Sequence, residues 1–474
     1  MTAETITEPR TTALRKNAVG VPGILFFVFS AQAPLTGIVG AAGLAVALGN
    51  GAGAPGAYLI VGLIIVLFAV GFTTISRHID TRGGFFAIVD AGLGRSFGVG
   101  GSYLAMLSYN TIQAAMYGLL GGTLSGIFPV VPWWVFSLAA IVLVWGLGSR
   151  GIELGARVLA VLVITEVVLL LVFAVIVLVT TGFAGLDVGA SFSPAAILAG
   201  APGIAILFAI ASMFGFESTA IYSGEAKDPQ RTVPRATYIS VIAIAVFFAF
   251  VMWMLIAYYG ADSAQDAALA TLTTDPARFV LEPLTAVLGG WAAPVAQVLL
   301  CTSLLAGVLA FHNMVTRYFH ALSERGNLPR SLAHTNRQHA PATAALTQSI
   351  VVTVLVLPFA LLGLDPLTTL FAWFSGLAVA ALVVLYVISS IAVIVFFRRH
   401  RLVESPWRTL VAPIVSTVLM LGELFLIITN FGTLTGSDPL TGWIMLGSIP
   451  VVFLIGFVSA RAGRVGSSSA VVES

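Results

Sequence analysis

Three stretches of the chain place polar or ionisable side chains where little else is polar. They are Ser30-Ala-Gln32-Ala33-Pro34-Leu35-Thr36-Gly37, Ala211-Ser212-Met213-Phe214-Gly215-Phe216-Glu217-Ser218 and Val163-Ile-Thr-Glu166-Val-Val. Proline lacks a backbone donor and glycine loosens the chain, so the first two stretches should interrupt a helix. An interrupted helix exposes amides on one half and carbonyls on the other, partners for the anionic and cationic ends of a small molecule. A carboxylate inside an apolar run is costly, and carrying a proton, holding a cation or tying helices together can justify it. Glu166, Glu217 and Glu423 are such carboxylates. Bond-breaking chemistry has no comparable support. There is no nucleophile–base set, phosphate loop or metal cluster. The single cysteine, Cys301, cannot form an internal disulfide, and the six histidines lack ligand spacing. No enzyme, cofactor or metal is expected.

The elements that must position these residues are membrane spans. Of the 474 residues, 58% are hydrophobic and 9% are charged. Soluble domains carry about 25% charged residues. A soluble enzyme, a disordered chain and a nucleic-acid binder are therefore excluded. A span needs about 20 apolar residues. Twelve such runs are read, at 21–48, 56–76, 98–127, 133–148, 154–180, 195–223, 236–259, 289–322, 343–362, 366–397, 409–431 and 441–460. The first is too long and too poorly flanked for a cleaved signal, being preceded by the polar stretch Thr2 to Asn17. With the N-terminus inside, Arg278 alone among the 22 Lys and Arg residues falls outside. Asp187, Asp262, Asp266, Asp275, Glu282, Asp365 and Asp438 take the outer loops. This charge split predicts an even number of spans and two cytoplasmic termini.

The two interrupted runs are the first and the sixth. Breaks five spans apart are what two inverted five-helix repeats produce. The expected organisation is a cytoplasmic tail at 1–17, a first repeat at 18–192, a second at 193–400, two further spans at 401–460 and a second cytoplasmic tail at 461–474.

Phe214-Gly-Phe-Glu-Ser218, followed by Gly224-Glu-Ala-Lys-Asp-Pro-Gln-Arg-Thr-Val-Pro-Arg-Ala236, resembles the sixth-span signature of the amino acid–polyamine–organocation permeases. Asp228 stands where that family usually has Asn, and Val233 where it usually has Ile. Gly83-Gly84-Phe85-Phe86 resembles the family's re-entrant segment after span 2. Arg317-Tyr-Phe-His-Ala-Leu-Ser-Glu-Arg-Gly-Asn-Leu-Pro329 resembles its end of span 8, and Gly148-Ser-Arg150-Gly151 its loop before span 5. The resemblance implies an all-α integral membrane protein with the leucine-transporter-like fold, a 5+5 inverted repeat plus two helices.

It also implies a binding site. A substrate carboxylate would meet span-1 backbone from Ala33 through Pro34, Leu35 and Thr36 to Gly37. Its ammonium would meet span-6 carbonyls among Ala211, Ser212, Met213 and Phe214, beside Gly215. Gln32 and Thr36 either add contacts or join neighbouring helices. Gln113, flanked by Asn110 and Tyr117, aligns with a polar pocket position, and Phe311 with an aromatic one. The family's aromatic gate is missing, so Phe208, Phe214 or Phe216 must substitute. Some proton-driven relatives carry a lysine where Glu166 stands. Glu166 is thus a proton carrier, a sodium ligand or a fixed link to span 1. Glu217 is expected in gating, and Arg317 in a latch with Glu225 or Asp228.

The expected function is secondary active transport of an amino acid by alternating access, with proton-coupled uptake across a cell (inner) membrane. Alternatives are a polyamine or amine permease, an exchanger, or a channel or sensor on the same scaffold. The expected partners are a small amino acid or amine, protons and the lipid bilayer, with no nucleic acid. Oligomeric state is not legible.

Overall fold

The computed structural model describes residues 20–79, 84–150, 156–217, 219, 227–272, 275–336, 340–436 and 439–462. The tail at 1–17, most of that at 461–474, Gly83, Gly151, Ser218 and the stretch 220–226 with Glu225 lie outside them. Among the described residues every regular element is a helix. Eight helices among the described residues are long and apolar enough to cross a bilayer, by length and composition, and two shorter apolar ones are Trp133–Gly148 and Pro202–Ala211.

The first apolar run is divided. Helix α1 covers Val21–Gln32 and α2 covers Pro34–Val39, with Ala33 between them at φ 44° and ψ 75°. The Pro34 ring drives the preceding residue out of the right-handed helical region and removes a donor from the ladder. A π-helical turn at Ala45–Asn50 follows before α3, Ala54–Ile75. The chain continues through α4 (Phe85–Leu93), α5 (Arg95–Ile127), α6 (Trp133–Gly148) and α7 (Ala156–Thr181).

The sixth run is also broken. Two short helices, Val188–Phe192 and Pro194–Ile197, are capped by Asp187 and Ser193, which accept from the amides of Ala190 and Ala196. Helix α8, Pro202–Ala211, then unwinds into turns over 212–217, where Gly215 takes φ 103°. Only glycine adopts that conformation without strain. Beyond it lie α9 (Pro229–Tyr259), α10 (Ala264–Leu272), α11 (Arg278–Leu288), α12 (Ala292–Glu324), α13 (Ala342–Leu361), α14 (Ala372–His400), α15 (Ala412–Leu434) and α16 (Pro439–Ala462).

The broken elements occupy the centre. Helices α1 and α2 pack on α7, α9 and α12, while α8 packs on α3, α14 and α15. Helix α5 is buried over most of its length between α12, α14 and α16. The outward faces are apolar instead of polar, with Leu63, Val142, Val179, Val354, Phe425 and Leu454 all exposed. Water would not tolerate so much exposed apolar surface, whereas hydrocarbon matches it.

Further polar contacts lie at the two ends of the bundle. At one end Arg95 donates to the Arg325 carbonyl (2.9 Å), Arg399 to that of Gly92 (3.1 Å) and Asn336 to that of Ser149 (2.6 Å). At the other, Asn50 donates to the Ile197 carbonyl (2.9 Å), Gln265 to that of Ala47 (3.3 Å), and Arg278 pairs with Glu282 (2.6 Å). These two groups are the segments that the charge pattern assigns to opposite sides.

Candidate functional site

The breaks face each other and are joined. Gln32, the last residue of α1, donates through Nε2 to the Met213 carbonyl in the unwound turn after α8, at 3.3 Å. That carbonyl is available because the helix has ended there. On the other side of the Ala33 kink, the Leu35 amide donates to Glu166 Oε2 at 3.2 Å. Pro34 creates this partnership, since the first amides of a helix lack intrahelical acceptors. The other Glu166 oxygen, Oε1, is buried and makes no close hydrogen bond, with the Ser303 side chain of α12 beside the carboxyl.

Glu217 closes the unwound turn. It accepts from the Gly215 amide (3.1 Å), the Tyr109 hydroxyl on α5 (2.9 Å) and the Tyr386 hydroxyl on α14 (3.5 Å). The two tyrosines thus tie the sixth-run break to both flanking helices.

A small cavity lies between the breaks. Gln32, Ala33, Thr36 and Gly37 form one wall, and Ala211, Ser212 and Phe214 another. Phe311 of α12 closes a third side, meeting Phe214 edge-on at 6.4 Å between ring centres. Ala41, together with Ile112 and Met116 of α5, Phe371 just before α14 and Ser375 in its first turn, completes it. Three polar atoms of these walls, Gln32 Oε1, Thr36 Oγ1 and Ser375 Oγ, are buried and have no partner. Unmet buried polar atoms cost about 1–3 kcal/mol each, so they are the places where a ligand or water gains most.

Several expected residues stand elsewhere. Pro34 and Leu35 act through the backbone, outside the cavity lining, as do Met213 and Gly215. Gln113 does not line the cavity. Its Nε2 donates to the Val308 carbonyl of α12 (2.9 Å), and its Oε1 accepts from Gln348 of α13 (2.5 Å). Asn110 donates to its own helix, at the Met106 carbonyl. Of the three gate candidates, Phe214 alone borders the cavity. Phe208 stacks on Phe371 at 6.4 Å, and Phe216 packs among Phe68, Phe72 and Tyr386. Asp228 pairs with Arg231 at 3.7 Å, and its alternative Glu225 lies outside the described residues. Glu423 is buried on α15 with Oε1 unpartnered.

Sequence reasoning missed Ala41, Ile112, Met116, Phe371 and Ser375. No break or charge marks them; Ser375 is one small polar residue in an apolar helix. Among the described residues no group of three or more His, Cys, Asp or Glu could hold a metal ion. The arrangement suits reversible binding of a small molecule between two helix breaks.

Comparisons with known proteins agree with this architecture. A family model described as "Amino acid permease" matches residues 21–458. The chain is 27% identical over 336 residues to the L-lysine transport protein of Corynebacterium glutamicum, covering 66% of this chain and 63% of that protein. It is 26% identical over 352 residues to the L-asparagine permease of Salmonella typhimurium, covering 68% and 67%. The match thus spans less than two thirds of the lysine protein's length. Among solved structures, the manganese transporter of Eremococcus coleocola superposes with a TM-score of 0.58 at 14% identity, covering 96% of this chain and 99% of that one. That likeness is one of fold.

Proposed function

The chain belongs to the amino acid permease family, and from that premise we propose that it is a secondary active transporter moving an amino acid across a cell membrane. The observation that carries this reading is the pair of breaks joined by Gln32 and the Met213 carbonyl beside a common cavity. An α-amino acid bears a carboxylate and an ammonium on one carbon. The backbone at Ala33–Gly37 is suited to the carboxylate and the carbonyls at 211–214 to the ammonium. The names of the lysine and asparagine relatives support an amino acid as cargo.

The membrane arrangement follows as part of the same proposal. Twelve spans are α1 with α2, then α3, α5, α6, α7, α8, α9, α12, α13, α14, α15 and α16. The first ten form two inverted repeats, both termini are cytoplasmic, and the site alternates in access between the two sides. The charge split between the ends of the chain's apolar runs supports that orientation.

Coupling is to protons, with Glu166 as carrier. One of its oxygens holds the Leu35 amide at the span-1 break, and the Ser303 side chain of α12 lies beside the carboxyl. A proton on this carboxyl weakens its hold on the amide, because an ionised acceptor makes the stronger bond. Proton uptake is thereby linked to the position of α2, which forms one wall of the cavity. Glu217 acts in gating, with Phe214 and Phe311 as the aromatic pair beside the substrate.

The test is uptake into proteoliposomes with and without an inward proton gradient. Wild-type protein accumulates substrate with the gradient. Glu166→Gln retains exchange of internal for external substrate and loses the gradient-driven accumulation. Uptake that ignores the gradient and requires internal substrate would make the protein an exchanger and leave Glu166 a fixed link.

A further inference from the structure

The cavity wall has a chemical character beyond its two helix breaks. Among the described residues that line it, none carries a charge. The nearby carboxylates are committed elsewhere. Glu217 is held by the Gly215 amide and two tyrosine hydroxyls, and Glu166 by the Leu35 amide. Neither lines the cavity. Opposite the broken helices, the wall is apolar and aromatic except at one point, Ser375, whose hydroxyl is fully buried and unpartnered. Phe371, one turn earlier on the same strand of helix, and Phe311 flank the space before it.

We infer that the site selects a compact amino acid whose side chain is neutral and hydrogen-bonding, with Ser375 as the residue that reads its tip, and that it rejects cationic side chains and polyamines. The inference rests on the reading of this cavity as the substrate site. A substrate backbone docked at the breaks directs its side chain toward α12 and α14. An ammonium placed there is buried with no counter-charge, and a buried unpaired charge is penalised far more than its aliphatic stem gains. A hydroxyl or carboxamide instead meets the Ser375 oxygen, and satisfies a group that is otherwise left buried and unmet. A purely aliphatic side chain fits between Phe371 and Phe311 but leaves that hydroxyl unpaired.

The experiment uses the full chain in proteoliposomes, with radiolabelled serine, threonine, asparagine, valine, lysine and putrescine. Threonine, serine or asparagine should be taken up best. Lysine and putrescine should compete at least ~100-fold more weakly. Ser375→Ala should weaken threonine and asparagine about 10-fold while leaving valine unchanged, a split that general misfolding would not give. Ser375→Asp should gain lysine competition and lose asparagine. Lysine or putrescine competing as well as threonine in the wild type would overturn the inference and leave transport standing. Equal losses for valine and threonine in Ser375→Ala would remove Ser375 from its role. If no compound in the panel is taken up under any gradient, the transport reading falls, and the inference with it.

Discussion

At Gly37 there is no room for one more carbon atom. A Cβ there would come within 2.7 Å of two ring carbons of Phe248 and 3.2 Å of Ser212 Oγ. The absent side chain lets α9 and the unwound turn close on α2. Gly37→Ala should cost about 1–3 kcal/mol through overpacking, seen as a lower thermal midpoint in detergent together with weaker substrate binding. Gly126→Ala is the control. Nothing lies within 4 Å of that position, so losing a helical glycine should be neutral or stabilise by about 0.5–1 kcal/mol. The same scale explains why charge governs selectivity. Burying a four-carbon stem returns about 3 kcal/mol at ~0.8 per methylene, less than the several kcal/mol an unpaired buried ion costs. Sequence alone made Gln32, Thr36, Gly37 and Phe311 visible as candidates, because they sit at a break or carry a familiar motif. Ser375 carried no such mark, since its significance depends on which side chains face it across the cavity.

Among the elements, α13 has an influence that its distance from the breaks conceals. Gln348 reaches from α13 to Gln113 on α5, and Gln113 reaches on to the Val308 carbonyl of α12. The three helices are thereby held in register, and two of them supply Ile112, Met116 and Phe311 to the cavity wall. Gln348→Leu removes the donor to the Gln113 oxygen. It should lower stability by about 1–3 kcal/mol and raise the KM for substrate without a matching fall in kcat. Adding Gln113→Leu removes that oxygen as well, so the double variant should recover most of the thermal stability. If the double variant is no more stable than Gln348→Leu, the two glutamines do not act as a pair. Gln113 looked like a pocket residue from its alignment with polar positions in relatives. Its side chain turned the other way because a mid-helix carbonyl and a glutamine amide were within reach, and both lie far away in sequence.

For the whole molecule, the division between an apolar girdle and two polar ends sets where pH can act on the fold. At the end that holds α10 and α11, Asp275 is half-buried and accepts from the Ala277 amide at 3.0 Å. Burial raises its carboxyl above the ordinary value, against the pull of that amide and of Arg278, and the like charge of Asp365 adds to the rise. A folded-state value above the unfolded one means the folded protein holds this proton more tightly. The stabilisation is complete below the unfolded value, about 3.9, and is lost as pH rises through the folded one. Asp275→Asn keeps the acceptor and removes the charge. Its thermal midpoint should exceed that of the wild type at neutral pH, with the difference vanishing near pH 4. A difference that persists unchanged at acid pH would mean that packing, not ionisation, separates the two.

Membrane residence, the two interrupted runs and the family were all readable along the chain. Hydrophobic length, Pro34, Gly215 and the Phe214–Ala236 motif are local properties, and backbone groups in hydrocarbon leave few structures open to such segments. The division of basic and acidic loops was likewise a matter of order along the sequence. The tertiary structure alone decided which polar groups meet. It gave the Leu35 amide to Glu166, two tyrosines to Glu217 and Gln113 to Gln348, and it left Gln32, Thr36 and Ser375 with unmet atoms around one cavity. Pairings between residues more than a hundred positions apart depend on how helices cross and rotate, which no single stretch of sequence specifies.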